Sequence, residues 1–278
     1  MLLGSNFHLC SGINNTAKEQ YKRGKERILR WMDFRGRFGF SEYNSDTYAP
    51  IAFNPLVTVA GIGADADIRT LATITLYLQL FDWILASHKS VIGSPRGRAY
   101  EGGKLLEDGE TSQSIHPILW ILTGEGDKER INYSRKDVIM LILAMEAGLQ
   151  MPEVLFEVSE SLKHGAFELR ERFAISTDEE EAMNEGIGFQ SPDDCIFWFG
   201  NGAYFTPTTA RCMFIVGDTY NLWDRHPVWQ PLKLALPIYH TDPFIVDEIA
   251  RLGSEFGLGT VLGRSNVYTY RTPNYMLR

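Results

Sequence analysis

One stretch constrains this chain more than any other. From Ile68 to Leu85 the apolar residues Ile68, Leu71, Ile74, Leu78, Phe81 and Leu85 spread around a helix, and Asp65 or Asp67 can cap its start. A helix this apolar all round is expected to be surrounded rather than to lie on a surface. It therefore calls for a multi-helix fold, and the rest of the sequence supplies the helices.

Ala17 to Phe34 reads as a charged amphipathic helix with Tyr21, Ile28, Leu29, Trp31 and Met32 as its apolar members. Ser134 with Asp137 resembles a capping box opening a helix to Gly148, and Pro152 opens another from Met151 to about Lys163. Further helices are expected at Asp178–Asn184, Asp194–Phe199, Pro207–Trp223 and Asp242–Phe256. Two segments, Phe34–Asn54 and Ser87–Ser114, read as long polar, Gly-rich loops, and long loops in a helical domain are usually functional. Only the end changes character. Val267–Thr272 alternates with period two and reads as a strand, with Val267, Thr269 and Arg271 on one side, and Asn274–Arg278 reads as a second.

Charge and cysteine usage exclude several classes. Lys plus Arg total 27 against 35 Asp plus Glu, a net charge of −8, which argues against nucleic acid as a partner. The 3 cysteines, Cys10, Cys195 and Cys212, show neither CxxC nor metal-ligand spacing, so neither a disulfide framework nor a metal site is expected. The first residues lack the basic group and apolar run of a signal peptide. The apolar run Leu71–Leu85 is broken by Thr, Gln and Asp, so no membrane partner is expected. The sequence reads as cytoplasmic, or as secreted or periplasmic if the true start lies upstream. HExxH, GxSxG, Walker and kinase signatures are all missing, and no cofactor is expected.

Three constellations could carry chemistry. In Glu42–Tyr48, Glu42, Asn44, Asp46 and Tyr48 alternate at spacing two, so an extended segment presents two carboxylates, an amide and a phenol on one side. Such a set suits hydroxyl-rich ligands, although Asn and Asp in a loop also serve as caps. Around His88–Lys104 the cations Lys89, Arg96, Arg98 and Lys104 make a locally positive loop in an acidic chain. Arginine forks there can take a carboxylate, and Tyr100 beside two arginines has a phenol whose ionised form is favoured. In the third, Trp198 and Tyr204 offer stacking faces for sugar rings with Asn201 at a helix end, and His240 precedes a capped helix. Aromatic stripes at helical spacing also read as plain core.

At these segments, Gly39–Tyr48, Gly93–Tyr100 and Phe197–Tyr204, the sequence resembles a family of large uncharacterised proteins related to α/α-toroid polysaccharide lyases and six-hairpin glycosidases. The resemblance spans about Trp31 to Leu277. In this chain Tyr43 stands where the family usually has Trp, and the family's chains continue beyond Leu277. The resemblance implies a mainly all-α fold, a whole or incomplete α/α toroid of helical hairpins over residues 1–258. Residues 259–278 would form a C-terminal β segment, either the start of a further β-sandwich domain or a tail through which a homo-oligomer assembles.

The function implied is action on a polysaccharide or oligosaccharide by lyase-like β-elimination at a uronic acid. Asn44 with Arg98 or Arg96 would neutralise the sugar carboxylate, and Tyr100 or Tyr48 would act as base and acid. Glu42, Asp46, Arg96, His88, Trp198, Asn201, Tyr204 and His240 would bind substrate. The alternatives are a glycoside hydrolase using Glu42 and Asp46, or a glycan-binding or assembly module without chemistry.

Overall fold

The computed structural model describes residues 17–40, 42–45, 47–93, 96–97, 115–126, 136–175, 179–201, 209–253 and 264–278. The chain is mainly helical, as its apolar periodicity predicts. Contacts divide it into two units: residues 1–39, 43–171 and 267–278 form the first, and residues 40–42 and 172–266 the second. The β segment at the C-terminus belongs to the first unit rather than standing apart from the helices.

In the first unit the helices are α1 (Ala17–Phe38), α2 (Ala49–Ile62), α3 (Ala66–Leu85), α4 (Ile115–Thr123), α5 (Lys136–Glu146) and α6 (Glu153–Ser161). Helix α3 is the hub, packed against α1, α2, α4 and α6. Its start shows why: the Asp65 side chain accepts from the backbone N–H groups of Asp67 and Ile68, and also from Tyr21 Oη at 2.7 Å and Lys25 Nζ at 2.6 Å. One carboxylate thus caps α3 and anchors α1 to it, and the Lys25 and Tyr21 bonds hold its pKa far below the usual range. The core side of α3 carries Ile68, Leu76, Leu80, Trp83 and Ile84.

The expectation that α3 is surrounded on every side is corrected: Ile74 and Leu78 are exposed, so its apolar surface is wider than its buried face. Helix α2 lies where a loop was expected to run to Asn54. Pro55 sits inside it and lacks the N–H that a fourth-residue-back carbonyl would accept. Burial of Phe53, Leu56, Val57 and Ala60 overrides that local signal. The Ser134 cap lies outside the described residues; Asp137 accepts from Asn54 Nδ2 at 2.6 Å, tying α5 to α2.

The second long loop also begins with structure. β1 (Ser87–His88) and β2 (Val91–Ile92) form a hairpin whose two turn residues, Lys89 and Ser90, have φ of 52° and 63°. Such a turn favours Asn-Gly, which is why Lys-Ser gave no turn signal. Buried bonds hold it: Ser90 Oγ donates to Glu125 O at 2.6 Å, and Arg271 donates to Ser87 O at 2.6 Å while pairing with Glu125.

β3 (Phe167–Phe173), β4 (Ser265–Arg271) and β5 (Met276–Leu277) form a sheet in that order, with β4 and β5 antiparallel. The expected terminal strands are present, and Val267, Thr269 and Arg271 all point inward, as their alternation requires. β4 lies between β3 and β5.

The second unit contains α7 (Glu179–Asn184), α8 (Pro192–Gly200), α9 (Ala210–Tyr220), a 3-10 turn at Pro231–Ala235, α10 (Leu236–Thr241) and α11 (Pro243–Gly253). Ser191 and Asp194 make a reciprocal capping box at α8. The helix expected from Pro207 is described from Ala210 and ends at Tyr220, where Asn221 adopts φ 51°. Met213, Phe214, Trp223 and Val246 form the core here. Gly217 is required by it, because a Cβ would meet the Trp223 ring at 2.5 Å.

Candidate functional site

The first two sequence constellations meet in the first unit. Gly97 N–H donates to Tyr43 O at 2.8 Å, so the loop before α2 and the loop after β2 are joined by backbone. Next to that junction Asn44 is 3% exposed and has φ 51°, a left-handed conformation that Asn tolerates better than most residues. With the amide turned so that its oxygen faces the guanidinium, Asn44 accepts from both terminal nitrogens of Arg278, at 2.8 and 3.1 Å. Gly93 lies against the same arginine, since a Cβ there would meet Arg278 Cβ at 3.6 Å.

Arg278 leads to two carboxyls the sequence reading did not single out. Its Nη2 bonds Glu171 Oε2 at 2.8 Å, with the arginine side chain fully buried and Glu171 11% exposed. Asp82, in the last turn of α3, has its carboxyl pushed up to about 7, first by burial and then by the Glu171 charge, with Arg278 opposing. Glu171 is raised by burial as well. One guanidinium therefore pairs with Glu171 and acts through its charge on a second half-buried carboxyl, Asp82, which titrates at about 7. A carboxyl with that property can give or take a proton at physiological pH.

The remaining predicted residues distribute as follows. Tyr48 is half-buried at the start of α2, where its carbonyl accepts from Ala52 N–H at 3.1 Å. Arg96 is half-buried directly before Gly97. His88 Nε2 lies 3.2 Å from Pro273 O, which sets it against the β4–β5 turn of the same unit. Tyr100, Arg98, Asp46 and Tyr204 lie outside the described residues. Glu42 belongs to the second unit.

Trp198, Asn201 and His240 also belong to the second unit. Trp198 is 2% exposed, stacks on Phe189 at 4.9 Å and donates from its indole to Gly188 O. Asn201 is buried and donates to Phe197 O at 2.8 Å, closing α8. These two side chains do the work of a core and a helix end. His240 is exposed, with Nε2 3.4 Å from Asp218 Oδ2.

A signal for the missed pair did exist. Asp82 is an acid between Phe81 and Trp83 in the apolar last turns of α3, and Glu171 shares its strand face with Phe167, Leu169 and Phe173. Among the described residues no group of His, Cys, Asp and Glu could hold a metal ion, and no helix is long and apolar enough to cross a membrane. Compared with protein-family models, curated proteins and solved structures, the chain finds no match in any of the three.

Proposed function

We propose that the chain is a carbohydrate-active protein, its helical pairs arranged as an α/α toroid, that acts on uronic-acid glycans by lyase-like β-elimination. The observation that carries this reading is the Gly97–Tyr43 hydrogen bond, which unites the amide-rich and arginine-rich loops. Asn44 is then held by Arg278 with its amide nitrogen as the donor side, suited to a sugar carboxylate or the enolate that forms from it. Arg96 or Arg98 adds positive charge, and Tyr48 or Tyr100 moves the proton. The test is incubation with a panel of uronic-acid polysaccharides, following the ultraviolet absorbance of an unsaturated uronate. Activity lost in Tyr100→Phe or Tyr48→Phe supports elimination.

Hydrolysis is the second reading, and Asp82 is what favours it. In this reading the carboxyls for acid–base work would be Asp82 and Glu171, beside the Glu42 and Asp46 that the sequence offers. New reducing ends without ultraviolet absorbance, abolished in Asp82→Asn, would select hydrolysis. Glycan binding with neither product would mean a binding module.

A further inference from the structure

A second place in the first unit is built like a binding site. A groove of about 480 Å³ lies between the end of α2, the first three turns of α3 and the turn that follows α5. Close helix contact makes it: a Cβ on Gly61 would meet Ala144 of α5 at 2.8 Å, so α5 lies tight on α2 and leaves Ala147–Gln150 facing α3. Gly148, at φ 103°, has open space where a side chain would be.

Two polar groups in the lining are fixed in place. Arg69 donates from Nη1 to Gly63 O at 2.8 Å, and the Tyr77 hydroxyl donates to Gln150 O. The first bond uses one of the guanidinium's five N–H donors. Thr70 and Gln150 are exposed, Thr73 keeps acceptor capacity beyond its bond to Arg69 O, and Ile74 gives an apolar wall.

We infer that this groove binds a small polyhydroxylated carboxylate, a sugar acid of one or two rings. Its volume falls in the usual range of small-molecule pockets, about 300–1,000 Å³. The arginine fork suits one carboxylate. Thr70, Thr73 and Gln150 suit hydroxyls, and the Tyr77 ring with Ile74 suits the C–H faces of a sugar. The groove also lies where α2 and α5 end, and the carbonyl-rich ends of two helices disfavour a doubly charged phosphate about twice as much as a singly charged carboxylate while accepting hydroxyl donors. The ligand chemistry is that of the activity proposed above, but the inference rests on the groove's own lining.

The test is calorimetric titration of the full chain with glucuronate, glucose and inorganic phosphate. Saturable 1:1 binding of glucuronate is expected, with glucose and phosphate each weaker by about tenfold or more. Arg69→Met and Thr70→Val, both at exposed positions that spare the core, should each weaken glucuronate by about tenfold, and Asp82→Asn should leave it bound. Glucuronate binding no tighter than glucose, or unaltered in both groove variants, would overturn the inference. So would binding lost in Asp82→Asn yet kept in Arg69→Met. A chain that binds glucuronate through Arg69 but turns over no glycan leaves the groove standing and removes only the proposed activity.

Discussion

Each unit buries an arginine side chain against a carboxylate, and the first unit sets a second carboxyl near its arginine. In the second unit Arg211 Nε faces Asp247 Oδ2 at 2.6 Å, with side chains 6% and 15% exposed, and the guanidinium lies over the Phe244 ring. In the first, Arg278 pairs with Glu171, acts on Asp82 through its charge and faces the Asn44 amide. Burial and the neighbouring Glu171 charge make Asp82 hold its proton to about pH 7, and that proton distinguishes the first unit's cluster.

Removing the shared arginine should have the largest effect. Arg278→Met removes the partner of Glu171 and the positive charge nearest Asp82, a loss of up to about 3–5 kcal/mol in urea unfolding at neutral pH. The loss should shrink as the pH is lowered and the carboxyls take up protons. Arg211→Met removes the arginine that faces Asp247 and should cost about 3 kcal/mol. An identical pH dependence for the two variants would break the comparison.

Asp82→Asn sharpens it. The folded-state pKa of Asp82 is raised from 3.8 to about 7, so its contribution to stability is complete below 3.8, declines as the pH rises to about 7 and is flat beyond. The variant should therefore match the wild type near pH 4 and exceed it at pH 8. Parallel stability curves across that range would show that Asp82 does not titrate there.

The smallest effect is expected at the second unit's thiols. Cys195 and Cys212 are both buried, their sulfurs 3.8 and 3.7 Å from Phe189 O, and the neighbouring Cys195 together with burial pushes the Cys212 thiol far up. Iodoacetamide at mildly alkaline pH should label neither in the native state and both in urea, as read by peptide mass spectrometry. Native labelling of Cys212 would mean that this unit, too, exposes a reactive group.

Much of the fold was legible because its signals are local. The Asp65 cap, the period of α1 and α3, the proline that opens α6 and the alternation of Val267–Arg271 each act within a few residues. The exceptions are equally local in origin: Pro55 argues against the helix it occupies, and Lys89-Ser90 lacks the residues its turn prefers. There, burial of Phe53 and Leu56 in one case and the Ser90 and Arg271 bonds in the other outweigh a propensity of about a few kcal/mol or less.

The candidate site divides the same way. Asn44 and Arg96 were recognisable as residue types with a chemistry, and their loops as unusual in composition. That Asn44 faces Arg278, and that the same guanidinium pairs with Glu171 and acts on Asp82 through its charge, follows from contacts between residues distant in the chain. The sequence by itself determined where helices and terminal strands begin and which residues could ionise or hydrogen-bond, because those properties belong to short segments and single side chains. Only the tertiary structure decided which of them share a low-dielectric space, and a carboxyl's pKa is set by that company.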